Sequence, residues 1–234
     1  MIICVYALVS GAPARLSLTG IAGERLRVIT IDRVAAVVGE VRRPPAPTIK
    51  NLRRYAASVE AIAEKVSAIL PARFATIVPD GEELAFILRS RRAALRQRLR
   101  AVRGRAQMTI RMVAVVSESE SGDGLFPSQT RDAGRARVRL EHEATQGTQY
   151  LRQRMAVEAR ARAVPGFEPI RAAVRSLVKE ERVERRGDVV TVNHLVPRAA
   201  PTRYRAAVER AAEDSGVRLI VTGPWPPYAF ADNW

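Results

Sequence analysis

"RVERRGDVVTVNHLVPRAAPTRYRAAVERAAEDSGVRLIVTG", residues Arg182 to Gly223, holds a hairpin, a helix and a strand in one uninterrupted run. Its first part, Arg182 to Pro197, alternates apolar and polar positions on either side of Gly187 and Asp188, the pattern of two strands joined by a tight turn. A helix follows from Pro201 to Glu213, with proline at a first-turn position where its missing N–H leaves nothing unpaired. Val217 to Gly223 then reads as a strand by its β-branched content. Upstream, "QMTIRMVAVV" from Gln107 is a further strand, and helical periodicity runs from Thr148 to Val164 and again from about Glu168 to Val178, with Pro165 and Gly166 between. The order from Gln107 onward is therefore strand, helical insertion, strand, strand, helix, strand. That is the element order of a ferredoxin-like α+β sandwich with an insertion after its first strand.

The first hundred residues give a related order with an extra N-terminal strand. "IICVYALV" is a short apolar run stopped by Ser10, Gly11 and Pro13, which predicts a buried strand. "RLRVITIDRVAAVVGEV" predicts two strands around a turn near Asp32 and Arg33. "RRPPAP" is a rigid connector, and Thr48 is placed to cap a helix reaching Leu70, whose stripe runs through Leu52, Tyr55, Val59, Ile62 and Val66. Pro71 ends that helix, and Ala72 to Val78 reads as a strand. Pro79, Asp80 and Gly81 open a second helix with Leu84, Leu88, Leu95, Leu99 and Val102 along one side, closed by Gly104. The reading is an α+β protein of two domains, residues 1–105 and 106–234, each ferredoxin-like or a variant of it. The second carries the helical insertion, from about residue 147 to 178, and a proline and aromatic tail.

The 234 residues are 47% hydrophobic and 27% charged, enough to build packed cores. The formal net charge of +15 invites a nucleic-acid or anionic partner. Lys50, Lys65 and Lys179 are the only lysines, so arginine supplies the other 36 basic residues, a bias that GC-rich codons produce without selection for phosphate contacts. The run from Arg89 to Arg105 is the best nucleic-acid candidate, yet it lacks the interleaved aromatics used for base stacking and reads equally as a solvated helix face. A basic nucleic-acid-binding protein is the alternative function. Cys4, alone in an apolar run, rules out a disulfide framework or a cysteine metal cluster. The N-terminal run lacks a basic leader and is too short to span a bilayer, so a cytoplasmic protein without a transmembrane segment is expected.

No stretch carries a phosphate-binding glycine loop, a GxSxG elbow or an HExxH helix, so no catalytic residues, metal ligands, cofactors or small-molecule substrate are expected. His142 sits between two glutamates that point different ways. His194 shares a strand face with Val190 and Val192 and reads as a structural histidine satisfied within the core.

The chain ends on "GPWPPYAF", Gly223 to Phe230, which gathers Trp225, Tyr228 and Phe230 among three prolines in a sequence with 5% aromatic residues. The prolines hold the backbone extended and present the aromatics in a fixed direction. One reading lays them across the core or the interdomain seam, so that Trp225→Ala costs about 3–5 kcal/mol. The other makes them a contact edge for a partner. This terminal stretch resembles the C-terminal signature of the GvpF/GvpL family of gas vesicle accessory proteins. "LPARFATIV" followed by "PDGEELAFIL" is similar to the family's Pro-x-Arg-Phe strand and following helix, with Ala75 where glycine is usual. "VYALVSG", "TQYLRQRM" and "NHLVPRAAPTRYRAAVERAAED" match further family stretches in order, with the acidic connector near residues 117–131 as the variable part.

The resemblance implies a non-enzymatic gas vesicle assembly protein whose C-terminal half has a coiled-coil-like helical portion. Its partners are the major gas vesicle shell protein and other accessory proteins, and its place is cytoplasmic and vesicle-associated. Trp225, Tyr228, Phe230, Arg73 and Phe74 are the candidate partner-binding residues.

Overall fold

The computed structural model describes residues 1–12, 16–113 and 166–231. The acidic connector, the helical pattern at 148–164 and His142 lie outside the described residues. Two four-stranded sheets are built in the same way. The first contains β1 (Ile2–Ser10), β2 (Arg27–Ile31), β3 (Val34–Val41) and β4 (Ala68–Val78) in the order β2-β3-β1-β4. The second contains β5 (Arg105–Val113), β6 (Glu180–Arg186), β7 (Val189–Pro197) and β8 (Leu219–Trp225) in the order β6-β7-β5-β8. All neighbouring strands are antiparallel. The helices are α1 (Ile49–Glu64), α2 (Gly81–Ser90), α3 (Arg92–Val102), α4 (Glu168–Val174) and α5 (Pro201–Ser215).

Each sheet places its first strand third in the order, as the ferredoxin-like arrangement requires. β1 is therefore the counterpart of β5 and not an extra strand. What the first unit lacks, among the described residues, is a helix between β1 and β2. A loop makes that connection, and it is tied to β1 by Tyr6, whose hydroxyl donates to Glu24 Oε1 at 2.5 Å and accepts from the Ile21 N–H at 2.8 Å.

Two of the expected helices change at their ends. α1 stops at Glu64, because Ala68 to Pro71 are claimed by pairing with β1, Leu70 opposite Leu8 and Pro71 opposite Ala7. Ala68 and Leu70 then face one core while Ile69 faces the other, an alternation a helix could not supply. The second helix breaks into α2 and α3 at Arg91, where Arg91 and Arg92 interrupt the apolar stripe between Leu88 and Leu95.

β1 is buried on both faces, which is why its sequence is continuously apolar. Ile3, Val5 and Leu8 meet α2 and α3, while Cys4, Tyr6 and Val9 meet α1 and the loop. Burial pushes the Cys4 thiol up to about 11, so it behaves as a buried hydrophobe. The second unit packs Met108, Ile110, Val190 and Val192 against Phe167, Ile170, Tyr204 and Val208.

His194 is fully buried in that core, as its alternation with Val190 and Val192 predicts. Its Nε2 lies 2.8 Å from Glu181 Oε2 and its Nδ1 2.6 Å from the Tyr204 hydroxyl. An ionised carboxylate only accepts, so Nε2 donates to Glu181, and in the neutral ring Nδ1 accepts from Tyr204. Arg171 makes a two-pronged pair with the same carboxylate at 3.2 and 3.1 Å and also pairs with Glu168. The His194 hydrogen bond, and then Arg171, hold the Glu181 carboxyl at about 2, well below its ordinary 4.5.

A depressed carboxyl stabilises the fold above its unfolded value and loses that contribution as pH falls through its folded value. Glu181→Gln should therefore be less stable than wild type by about 2 kcal/mol at neutral pH, the full linkage value being reduced by partial exposure. The difference should shrink as pH drops from 4.5 towards 2, measured by urea titration across that range.

Candidate functional site

The C-terminal segment begins as part of the second sheet. Gln107 of β5 pairs with Trp225 and Thr109 with Thr222, so β8 carries two residues, Gly223 and Pro224, opposite the single Met108. This β-bulge is a position where proline fits within a strand. Gly223 has φ +112, and a Cβ there would sit 2.7 Å from the Gln107 carbonyl oxygen, so no other residue fits without displacement. From Pro226 the chain leaves the sheet and Tyr228–Phe230 form one turn of 3₁₀ helix. The segment is thus extended only as far as Trp225, because the bulge and the turn redirect it.

That turn drives Phe230 into the seam between the two units. Phe230 is fully buried and joins the core of Leu8, Leu95 and Leu99, together with Leu195 from β7. Arg98 of α3 donates its Nε to the Phe230 carbonyl at 2.7 Å and makes a two-pronged pair with Glu180 of β6 at 2.9 and 2.8 Å. Arg182 donates to the Ala229 carbonyl at 2.8 Å, and its guanidinium lies 5.3 Å from the Phe230 ring centre. Those guanidinium contacts hold the Glu180 carboxyl below its usual range.

On the opposite side, Gln107 Oε1 accepts the Ala229 N–H at 2.8 Å, and its amide donates to Asn193 Oδ1 and Thr109 Oγ1, both at 3.0 Å. Arg205 of α5 donates to the carbonyls of Val221 at 2.9 Å and Gly223 at 3.0 Å, along the open edge of β8.

The remaining aromatics are not buried with Phe230. Trp225 is 41% and Tyr228 39% exposed, so the core reading holds for Phe230 alone and the expected large cost of Trp225→Ala does not apply. They open onto two different clefts. One, of about 740 Å³, includes Tyr228, Ala229, Arg73, Phe74, Tyr55 and Glu184 in its walls. The other, of about 380 Å³, holds Trp225 with Pro224, Pro226 and Pro227 against α1.

Arg73 and Phe74 reach the first cleft because β4 bulges. Val5 pairs with Thr76 and Ala7 with Pro71, leaving Ala72 to Ala75 looped out opposite the single Tyr6. Tyr55, missed as a site residue because its helical spacing marks it simply as core, anchors the bulge by donating its hydroxyl to the Ala72 carbonyl at 2.6 Å. It stacks on Tyr6, ring centres 5.4 Å apart, and takes Phe74 edge-on at 5.6 Å. Burial pushes the Tyr55 phenol well above its ordinary value, and burial with nearby Glu60 does the same for Tyr228, so both stay neutral hydrogen-bonding groups. Ala75 sits at φ +58, in the left-handed region where glycine is favoured.

Gln107, Arg98 and Arg182 were also missed. The one signal in the sequence was polar Gln107, Thr109 and Asn193 at alternating positions of otherwise apolar strands.

These features define a class: an α+β protein of two like-ordered sheets, closed by a C-terminal segment that buries one aromatic and presents two. The family described as "Gas vesicle synthesis protein GvpL/GvpF" matches residues 3–232, and the chain belongs to that family. It is similar to gas vesicle protein L2 of Halobacterium salinarum, 27% identical over 239 residues, which cover 92% of this chain and 84% of that one. In fold it resembles the crystal structure of gas vesicle protein GvpF from Microcystis aeruginosa, with TM-score 0.71, 16% identity and 99% of each chain covered. It likewise resembles GvpF from Anabaena sp. PCC7120, with TM-score 0.70, 15% identity, and coverage of 100% of this chain and 97% of that one.

Two stability outcomes follow from the geometry. Phe230→Ala should cost about 3–5 kcal/mol and Trp225→Ala less than about 1 kcal/mol in chemical denaturation. Ala75→Gly should stabilise by about 0.5–1 kcal/mol, relief of the left-handed strain exceeding the added chain entropy, read as a raised melting temperature.

Proposed function

We propose that this chain is a gas vesicle accessory protein that binds the shell subunit and supports assembly of the vesicle, acting by contact and not by catalysis. In this reading residues 1–105 and 106–234 are its two domains, other accessory proteins are further partners, and the protein stays associated with the vesicle it helps to build. Family membership supports the assembly role. The observation that carries the contact role is that Pro71–Phe74 and Tyr228, Ala229 and Ala231, distant in sequence, line one cleft.

The chemistry of that cleft suits an apolar guest. A subunit destined for a wall with one face to gas exposes apolar surface before it assembles, and such surface aggregates in water. Phe74, packed edge-on against buried Tyr55, and Tyr228 offer aromatic area of low rotational freedom, and Arg73, Thr76, Arg182 and Glu184 in the lining add polar selectivity. Arg73 is exposed and has no carboxylate partner among the described residues. The excess positive charge of the chain speeds encounter with acidic regions of a partner more than it tightens the final complex.

Co-expression with an affinity-tagged shell subunit tests the reading. Wild type should be retained at low and moderate salt, and Phe74→Ala combined with Tyr228→Ala should lower retention about tenfold while leaving the melting temperature within a few degrees. No retention of wild type, or equal retention of the double variant, would sink it.

A further inference from the structure

We infer that the outer side of α3 binds double-stranded nucleic acid through its phosphates, without reading sequence. The inference goes beyond the shell-binding reading and stands on a different face of the molecule. Residues Arg89 to Arg105 hold eight arginines and no acid. An arginine-rich composition supplies the residue type, but a merely solvated helix face interleaves both signs, because like charges four residues apart repel.

The fold sorts those arginines. Arg98 leaves one side of α3 for Glu180 and the Phe230 carbonyl, and Arg105 turns back to the Ala101 carbonyl at 2.6 Å. Arg92, Arg96 and Arg100 stand at four-residue steps on the other side, about 6 Å apart along the axis, and Arg103 follows at the helix end. All four are exposed. Arg96, Arg100 and Arg103 have no side-chain partner among the described residues, and Arg92 meets Asp32 only at 4.0 Å.

A second group of cations, supplied by other parts of the chain, joins this stripe. The Gly104 N–H donates to the Ser67 carbonyl at 2.9 Å, and the Gly104 carbonyl accepts from the Arg198 N–H at 3.0 Å. Arg198 also donates from its guanidinium to the Val66 carbonyl at 3.0 Å. Three segments distant in sequence thus bring exposed Lys65, Arg103 and Arg198 to one corner. The acids Glu60 and Glu64 share the Trp225 cleft with Arg105 and Arg198, and none stands on α3.

What lies between the arginines decides the partner. Ala93, Ala94 and Gln97 are exposed there, and no large apolar residue of α3 is. A lipid surface needs apolar side chains to insert, and a protein interface needs a buried anchor at its centre; α3 offers neither. Phosphates ask only for charge and donors, and the planar fork of arginine meets a phosphate with two hydrogen bonds. The stripe has no aromatic residue for base stacking, which favours a duplex, whose bases are already stacked, over a single strand. The net charge of +15 supplies the long-range attraction.

The test is fluorescence anisotropy of the full-length chain with labelled DNA and RNA duplexes of about two helical turns. Binding should weaken with a log–log salt slope of about −5 between roughly 50 and 200 mM, equally for two unrelated sequences, with the matching single strand about tenfold weaker. Arg96→Gln, Arg100→Gln and Arg103→Gln together should weaken duplex binding about tenfold or more and reduce the size of the slope by about 2–3, with melting unchanged. Arg42→Gln, Arg53→Gln and Arg203→Gln together remove the same charge from exposed positions elsewhere and should change affinity by less than about threefold.

A preference between the DNA and RNA duplexes supports the inference and names the form bound. No binding of either duplex, an equal loss in the two triple variants, or an unchanged slope in the α3 variant overturns it. So does tighter binding to anionic lipid vesicles or to polyglutamate than to either duplex, which would give the stripe to a membrane or to an acidic protein.

Discussion

At its centre the first sheet has no face left for water. β1 runs through its middle with apolar side chains on both sides, so two covers are needed, and a two-helix hairpin and a loop do not complete them. α1 with the loop after β1 closes one side. α2 and α3 close most of the other, and the remainder is filled by Leu195, Phe230 and Ala231 from the far end of the chain. The terminal turn is thus held by the same burial that holds β1, and the two sheets are joined by a shared core in addition to surface contact.

Polar groups at that seam are arranged so that little of the chain's charge is spent against itself. Arg98, Arg182 and Arg198 each point a guanidinium at backbone carbonyls, as Arg205 does away from the seam on β8, and Arg98 adds the two-pronged carboxylate of Glu180. The planar fork of arginine reaches two acceptors at once, which lysine could not do. Part of the basic excess is therefore internal wiring. Among the described residues, every buried side-chain nitrogen and oxygen has a hydrogen-bond partner.

The sheets, the Asp32–Arg33 and Gly187–Asp188 turns, and α5 were legible because local chemistry and tertiary demand agree there. Asp32 and Arg33 both have positive φ, which the tight hairpin imposes and the sequence marks only weakly, since glycine is absent. The end of α1 was misread because Val66 to Leu70 fits helical spacing as well as strand alternation, and only pairing with β1 decides between them. The candidate site was half legible. The aromatic cluster pointed to the right segment, but assigning Phe230 inward and Trp225 and Tyr228 outward depends on a bulge and a 3₁₀ turn that composition does not encode. The looped-out Arg73 and Phe74 look like ordinary strand residues until β4 is set against Tyr6.

β8 forms an outer edge of the second sheet, and edges of this kind invite another strand to pair. Arg205 occupies the carbonyls of Val221 and Gly223 there, and the bulge at Gly223 and Pro224 interrupts the ladder just beyond. The edge is therefore withheld from templating: a neighbouring chain finds no continuous row of acceptors to copy. Recognition at this end of the molecule is left to side chains, which discriminate between partners, and is denied to backbone pairing, which does not.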